Sequence, residues 1–379
     1  MTVIGLIALG AMVALWPDEN DVPQGADPYG NVKILDATVK KATPFDCNSS
    51  GTGPDNTPMV EGSCAQVTAE TENGATAVFT LDPTRYVGAG MEAGDRIRVI
   101  EIAPDGQEAT YEFYDHQRGV PLAVLAVVFA LLVALVGRWR GVFALIGIGI
   151  TLLVLLRFVM PALLAGEPSI AVAVAGSTVI MLAVLYLAHG VSIRTTSALL
   201  GTLFGIGFTA IVGAASTDWA HLTGIGSEDD HLLLATAPQI SLAGVVAASM
   251  VIAGLGVLND VTVTQASAVW EMRALKPTAG CRELFGSAMR IGRDHIASSV
   301  YTLVFAYAGT AMTTLLLIAA YQRALLEVAV TEGIAQEVVR TLVGAIGLVL
   351  AVPITTAIAV WLAPPRAHVE EHGVGHRAR

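Results

Sequence analysis

Residues 119–137 read GVPLAVLAVVFALLVALVG, an apolar stretch without a single charged side chain. A helix needs about 20 mostly apolar residues to cross the hydrocarbon core of a bilayer, so this stretch is long enough to span a membrane. Of the 379 residues, 54% are hydrophobic and 14% are charged, and the mean hydropathy is +0.64. This composition favours a membrane protein over a soluble one.

Further apolar runs flank this stretch on both sides. They cover about 2–16, 141–163, 168–189, 196–214, 237–258, 295–320 and 340–363. The predicted fold class is therefore a membrane protein that is mainly an α-helical bundle, with about eight transmembrane helices. Residues 1–16 lack a positively charged start and a small-residue cleavage site, so they are predicted to be an anchor helix rather than a signal peptide. Residues 119–363 form the predicted helical domain, and 364–379 form a tail.

The charges of the chain are unevenly distributed. Between Asp18 and Arg118 there are 18 acidic and 7 basic side chains, whereas the rest of the chain carries 14 of each. We assume a cytoplasmic N-terminus and eight spanning helices and count the Lys and Arg side chains of the helical domain and the tail. Eleven of them then lie on the cytoplasmic side and three on the opposite side. Because cytoplasmic loops are enriched in Lys and Arg, both termini are predicted to be cytoplasmic and residues 17–118 extracytoplasmic. An acidic domain also argues against nucleic acid as a partner.

The acidic segment 17–118 is predicted to form a small β domain. Short stretches that alternate apolar with polar residues occur at 31–40, 64–72, 75–82, 95–103 and 107–114. The pairs Asn73-Gly74 and Asp105-Gly106 separate neighbouring strands and are typical of hairpin turns. Five short strands in this length favour a small β-barrel, OB-like, inserted between the first and second helices.

The chain has three cysteines, of which Cys47 and Cys64 fall within the acidic segment. In an oxidising compartment these two are predicted to form a disulfide; two buried thiols are the alternative. The sequence contains neither a CxxC pair nor a Cys/His cluster with zinc spacing, so no metal is expected. The acidic run Glu228-Asp229-Asp230 matches no metal-binding pattern and is predicted to be a solvated loop.

The sixth run continues into GLGVLNDVTVTQASAVWEM, residues 254–272, which carries a polar face. At 100° per residue, one side of this helix holds Asp260, Thr264, Ser267 and Glu271. A carboxylate at membrane depth costs several kcal/mol unless it is hydrated, paired or protonated. The functional interpretation is a polar pathway with Asp260 at its entrance. The alternative is a helix that emerges into the cytosol here, with Asp260 among the lipid headgroups.

The seventh run begins at Gly292-Arg293-Asp294-His295 and carries a second stripe. Small and polar side chains recur at helical spacing through His295, Ser299, Thr302, Ala306, Gly309 and Thr313. His295 changes charge near neutral pH, as a proton relay requires. The alternative is helix packing by the small residues, with Asp294 capping the helix start.

Two motifs in these helices resemble the YibE/F family of bacterial membrane proteins: GVLNDVTVTQASAVWEM at 256–272 and GRDHIASSVYTLVFAYAG at 292–309. The resemblance extends to the anchor helix, the β domain and the YEFYDHQRG entry at 111–119. The resemblance implies an acidic residue where Asn259 stands, whereas this chain has only Asp260, so the two adjacent carboxylates common in the family are not present here. The resemblance implies a topology and the residues that matter, and it implies no reaction.

Two functions are consistent with these features. The first is a proton-coupled transporter or permease, with Asp260, Thr264, Glu271, Asp294 and His295 along the pathway and a small-molecule or ion cargo. The second is a non-catalytic scaffold or envelope-assembly partner that binds an extracytoplasmic protein through its β domain. The sequence shows no Walker loop, GxSxG elbow, HExxH or dinucleotide glycine motif, so neither catalysis nor a cofactor is expected. The predicted location is the bacterial plasma membrane, with the lipid bilayer as a partner.

Overall fold

The computed structural model describes residues 2–18, 20–23, 33–47, 61–103, 109–322 and 324–363. The chain divides into two compact units. One comprises Gly25–Leu132, and the other comprises Met1–Gln24 with Val133–Arg379. The domain boundaries predicted at residues 16, 118 and 363 remain predictions, and the predicted turn at Asp105-Gly106 lies outside the described residues, as does the tail.

The first unit contains a five-stranded antiparallel sheet in the order β3-β2-β1-β4-β5. The strands are β1 (Lys33–Phe45), β2 (Cys64–Thr71), β3 (Thr76–Leu81), β4 (Arg96–Ile102) and β5 (Thr110–His116). A short helix, α2 (Pro83–Ala89), joins β3 to β4. The alternation of apolar and polar residues predicted the strands because every second side chain of β1 to β4 points to the same buried side.

The sheet curls into a half-barrel. Leu35 and Val39 of β1, Val67 of β2 and Ile97 of β4 lie in one buried cluster. The ring of Phe79 on β3 stacks on that of Phe113 on β5, with centroids 6.2 Å apart, so the two edge strands are drawn together. A curled five-stranded sheet is confirmed, and the OB-like assignment remains a prediction.

The predicted disulfide is confirmed. Cys47, just after β1, is bonded to Cys64, the first residue of β2, with their Cα atoms 5.7 Å apart. The predicted hairpin between β2 and β3 is also present. Gly74 has a φ of 78°, a left-handed conformation that suits glycine, and its N–H donates to the Thr71 carbonyl at 2.9 Å.

The rest of the described chain is helical. The helices are α1 (Thr2–Ala14), α3 (Gly119–Val154), a π-helical turn (Leu155–Val159), α4 (Met160–Leu164), α5 (Ser169–His189), α6 (Ile193–Trp219), α7 (Glu228–Thr236), α8 (Leu242–Leu275), α9 (Cys281–Thr310), α10 (Met312–Ala320), α11 (Leu325–Ala329) and α12 (Glu332–Leu362).

Among the described residues, five helical segments are long and apolar enough to cross a membrane, or six if the bent pair α9–α10 is one span. The predicted count of eight is not confirmed. The difference has two causes: α1 has only 13 residues, and the two predicted runs 119–137 and 141–163 count as one helical segment, Gly119–Leu164. Arg138, with a φ of 52° and a ψ of −137°, interrupts the helical backbone between those two runs. These apolar helices indicate a membrane-embedded protein.

Helix α8 lies among α5, α6, α9 and α12 in the second unit. Glycines allow close approach in this bundle. A Cβ added at Gly205 of α6 would lie 2.6 Å from Leu258 of α8, and one added at Gly201 would overlap the side chain of Thr355 of α12. Small residues at helix interfaces are expected in membranes, where association depends on close packing rather than on the hydrophobic effect.

Candidate functional site on helices α8, α9 and α12

The depth of Asp260 in the bundle follows from its position beside α5. Helix α5 has 21 residues and is about 31 Å long, close to the thickness of a bilayer core. A Cβ at Gly244 of α8 would lie 2.7 Å from Ser169 Oγ at one end of α5. At the other end, His189 and Ser267 line one small cavity. Asp260 precedes Ser267 by seven residues, so it lies about 10 Å along α8 from the level of His189.

The polar face predicted on α8 lies on the surface of the bundle. Asp260 and Glu271 are exposed, and Thr264 and Ser267 are half-buried. The pathway interpretation requires this face to be turned towards the interior, whereas α6, α9 and α12 contact the other sides of α8. Asp260 is therefore an exposed carboxylate on the surface of the bundle, and both interpretations of its depth in the membrane stay predictions.

The stripe predicted on α9 adjoins this face. A Cβ at Gly292 of α9 would overlap the amide of Gln265 of α8, which sets the antiparallel register of the two helices. In this register Asp260 lies opposite about residue 297. His295 is half-buried, Thr302 is exposed, and Ser299 is 7% exposed at the contact. The register therefore places the two predicted stripes at similar levels on the neighbouring helices α8 and α9.

The titratable groups of this region differ in their partners. Glu271 lies 4.0 Å from Arg194, near the start of α6. No ion pair or side-chain hydrogen bond joins Asp260, Asp294 or His295 to another described residue. The predicted capping role of Asp294 is wrong, because α9 begins at Cys281 and Asp294 lies well inside the helix.

The interior of the bundle holds a polar seam that the sequence analysis missed. We define the buried seam as Thr202, Thr262, Gln265, Thr355 and Thr356, each fully buried. The hydroxyls of the first two are 2.7 Å apart. The Thr356 hydroxyl donates to Gln265 Oε1 at 3.1 Å, and Gln265 Nε2 has no partner in the structure.

The positions of the polar residues along α8 contain a sequence signal for the buried seam. Gln265 is five residues after Asp260, so it lies about 140° around the helix from the predicted polar face. It is a polar side chain within an otherwise apolar stripe that faces other helices. Threonine gives a weaker signal, since its hydroxyl can bond the carbonyl of its own helix, as Thr202 does with Ala198 at 3.0 Å.

A larger cavity lies at the opposite end of α9. Helices α9 and α10 are bent by 64° at Ala311. A cavity of about 740 Å³ lies beside the bend, between α10 and the start of α12. Its polar lining includes Thr310, Thr314, Tyr321, Glu332 and Glu337.

The carboxylates of this cavity are held in place. Glu332 accepts hydrogen bonds from the backbone N–H groups of Thr223 at 2.8 Å and Gly224 at 3.0 Å, and from Gln336 Nε2 at 2.9 Å. Glu337 forms an ion pair with Arg340, one turn further along α12. Glu332 is the first residue of α12 and Glu337 lies in its second turn, so both carboxylates stand at the start of the helix, before its apolar part.

A buried arginine closes the other end of the bundle. Arg273, near the end of α8, is 6% exposed. Its Nε donates to the carbonyl of Ala363 at 3.0 Å, and its Nη1 donates to that of Ala279 at 2.6 Å. These bonds tie the end of α12 to the loop before α9. Carbonyls at helix C-termini favour a cation, so these bonds compensate part of the guanidinium charge, while its Nη2 has no hydrogen-bond partner among the described residues.

The acidic run Glu228-Asp229-Asp230 begins a helix instead of a loop. Ser227 caps α7, and the Ser227 hydroxyl and N–H both donate to Asp230 Oδ2, at 2.8 Å each. The prediction of a loop is therefore wrong, since the three carboxylates occupy a first helical turn, where they are electrostatically favourable. Among the described residues, no group of three or more His, Cys, Asp or Glu side chains could hold a metal ion.

A family model with the description "YibE/F-like protein" matches residues 125–365. The matched region includes the polar residues predicted on α8 and α9, the buried seam, Arg273 and the cavity beside the α9–α10 bend. No significant match was found among the curated proteins or among the solved structures. The resemblance noted from the motifs in α8 and α9 is therefore confirmed.

Proposed function

Because the chain belongs to the YibE/F-like family, whose model covers the helical bundle, we propose that it is a non-catalytic membrane transport protein. It acts in the bacterial plasma membrane, with both termini cytoplasmic and the β domain outside. The cargo is a small polar or charged solute. Proton movement through the carboxylates and histidine of α8 and α9 drives its passage.

The observation that carries this proposal is the bend between α9 and α10 beside the 740 Å³ cavity. A broken helix at membrane depth exposes backbone polar groups, which are tolerated only inside protein or beside a water-filled space. Transporters commonly build their binding sites around such broken helices. The carboxylates and threonine hydroxyls of the cavity lining suit a polar cargo.

The same helix connects this cavity to the titratable groups at the other end of the bundle. Helix α9 ends at the bend, and it carries Asp294 and His295 beside the level of Asp260. A rigid movement of α9 on α8 would therefore change both regions together. This link favours coupling between cargo binding and proton transfer over two unrelated features.

A second candidate function is the scaffold role of the β domain. One observation favours it: a polar cleft of about 340 Å³ on the sheet, lined by both carboxylates and basic side chains, including Asp36, Lys40, Glu70 and Arg96. Such a surface suits a polar protein partner. In that case the membrane helices anchor the domain, and the polar side chains of α8 and α9 serve helix packing.

Cysteine accessibility tests the transport proposal without knowledge of the cargo. In a Cys281→Ser background, Thr314→Cys introduces a thiol in the cavity lining, and Leu316→Cys introduces one on the exposed side of the same helix. If the cavity is a water-filled entry, a membrane-impermeant thiol reagent labels Thr314→Cys from outside. Leu316→Cys, surrounded by lipid, stays unlabelled.

Proteoliposomes with a pH-sensitive dye in the lumen test the coupling. Inorganic cations, organic amines and organic anions are added one class at a time. One class should change the internal pH, and both Asp260→Asn and His295→Ala should abolish the change at unaltered protein content. The matched control, Asp229→Asn on α7, should retain it. An unlabelled Thr314→Cys, or normal proton movement in both membrane variants, would contradict the proposal.

A further inference from the structure

The exposed polar side of α8 and the adjoining side of α9 differ from the exposed surface of α3. We define the α8–α9 polar face as Gly256, Asp260, Thr264, His295 and Thr302. The exposed side chains near the end of α3 are large and apolar, such as Leu152 and Leu153. Such side chains suit contact with lipid, whereas a carboxylate without a partner among the described residues is costly where it meets hydrocarbon.

The shape of this face permits another helix to come close. A Cβ added at Gly256 of α8, or at Gly309 further along α9, would meet no atom within 4 Å. These glycines therefore serve no contact within the chain, in contrast to Gly201 and Gly292. Exposed small residues on a membrane helix allow a second backbone to approach, and polar side chains beside them supply hydrogen bonds between helices.

We propose that a second copy of this chain docks on the α8–α9 polar face. The dimer has two-fold symmetry about the membrane normal, and Asp260 of each copy pairs with His295 of the other. Helix α8 of one copy packs on α9 of its partner. The proposal concerns an interface and does not depend on the transport function.

Charge complementarity and depth identify a second copy as the occupant. The face carries an acid on α8 and a base on α9, so it is complementary to itself, as a two-fold interface requires. A two-fold axis along the membrane normal keeps every residue at its own depth. In the α8–α9 register, His295 lies within about two residues, or about 3 Å along the helix axis, of the position opposite Asp260. Each carboxylate therefore meets the partner's imidazole at a matching depth.

The register also selects the cross-linking pair for a test. Gly256 lies opposite about residue 301, so Gly256 of one copy and Thr302 of the other share a depth. Two Cys281→Ser chains with different tags are co-expressed, one with Gly256→Cys and the other with Thr302→Cys. Mild oxidation of the membranes should give a covalent dimer that carries both tags. A control replaces Thr302→Cys with Ile211→Cys on the exposed side of α6 and should give none.

Exchange of the charged groups tests the pairing itself. Asp260→His alone removes both pairs of the dimer. It should lower the association constant by about 25-fold to 900-fold, because each polar contact between membrane helices contributes about fivefold to thirtyfold. The double exchange Asp260→His with His295→Asp should restore it. Photobleaching of fluorescently labelled wild type in nanodiscs should show two steps per particle. Single-step bleaching, or equal cross-linking in the Ile211→Cys control, would overturn the proposal.

Discussion

The β sheet and the helical bundle are packed in different ways. In the sheet, every second side chain of four strands is apolar, and these side chains pack together on one buried side. In the bundle, helices approach each other closely where a glycine of one helix faces a polar side chain of another. Val39, Val67 and Ile97 represent the first arrangement. Gly201 against Thr355, and Gly292 against Gln265, represent the second. A domain in water is stabilised by removing apolar surface from the solvent. Helices in lipid gain little from that transfer and depend on the fit between their backbones.

This contrast predicts that added side-chain volume against the buried seam causes the largest loss of stability. Gly201→Val places two methyl groups where the Thr355 side chain lies, so α6 and α12 must separate. Overpacking of a core costs about 1–3 kcal/mol, and we expect this contact to reach or exceed the upper value because both helices are rigid. The melting temperature in detergent, followed by fluorescence-detected size exclusion, measures the loss.

Gly207→Val is the matched control on the same helix, because a Cβ at Gly207 meets nothing within 4 Å. Its melting temperature should stay near that of the wild type. Equal stability of the two valine variants would show that α6 and α12 can move apart freely. In that case close packing is not what stabilises the bundle.

The next largest effect is expected in the sheet, where a cross-link supports a small core. Cys47→Ser removes a disulfide across a sequence separation of 17 residues. For a loop of this length the loss is about 3 kcal/mol, chiefly through a less constrained unfolded state. Limited proteolysis of the full chain should therefore cut the β domain about 100-fold faster. Cys281→Ser, which removes the free cysteine of α9, should leave this rate unchanged, and an unaltered rate in Cys47→Ser would contradict the structural role of the bond.

The role of the polar groups in the buried seam can be separated from the role of their volume. The single proton of the Thr356 hydroxyl is shared between Val352 O at 2.7 Å and Gln265 Oε1 at 3.1 Å, and Gln265 Nε2 has no partner among the described residues. Gln265→Leu keeps the volume and should change the unfolding free energy by less than about 1 kcal/mol. Gln265→Ala leaves a cavity and should cost about 2–4 kcal/mol.

Thermal melting of the two Gln265 variants side by side would distinguish these roles. A large loss in Gln265→Leu would mean that the amide binds a group in the folded protein, such as water or an ion. The buried seam would then be part of the transport pathway rather than a packing device. Close packing alone would then not explain why the bundle has polar side chains in its interior.

The same contrast explains which structural features could be predicted from the sequence. Strands were predictable because one side of the sheet faces water, so alternation records burial directly, as in residues 64–71. Long apolar runs located the spans for a similar reason. Lipid, however, is as apolar as the bundle interior, so the sequence does not show which side of α8 faces inward. Asp260 and Gln265 were both visible as polar residues, and only the packing of α6 and α12 shows that one is exposed and the other buried.

The bend at Ala311 was unpredictable for a different reason. Residues 295–320 form one apolar run without an internal proline, which is the usual sequence signal of a break. The predicted run 340–363 begins at Arg340, whereas α12 begins at Glu332, so the helical turns that hold the ion pair of Glu337 and Arg340 were not predicted. Both features depend on tertiary contacts around the cavity.

The smallest expected effect concerns an exposed ion pair of the sheet and its pH dependence. Lys40 Nζ lies 2.6 Å from Glu70 Oε2. The hydrogen bond from Lys40, and then its charge, lower the pKa of Glu70 below its ordinary value of 4.5. A carboxylate with a lowered pKa in the folded state adds stability above about pH 4.5, and this stability is lost as the pH falls through the folded value. Lys40→Gln should therefore differ slightly from the wild type at pH 7 and match it at pH 3.

Hydrogen exchange of the β1 and β2 peptides, compared between variants at each pH, measures this difference because the intrinsic exchange rates cancel. High salt should reduce the difference at pH 7, since exposed pairs are screened. Lys41→Gln is the control, because Lys41 is an adjacent exposed lysine that forms no ion pair with a described residue. A pH-independent difference in Lys40→Gln would assign the effect to lost packing of the lysine stem, and the pair would then contribute to the sheet through apolar contact rather than through charge.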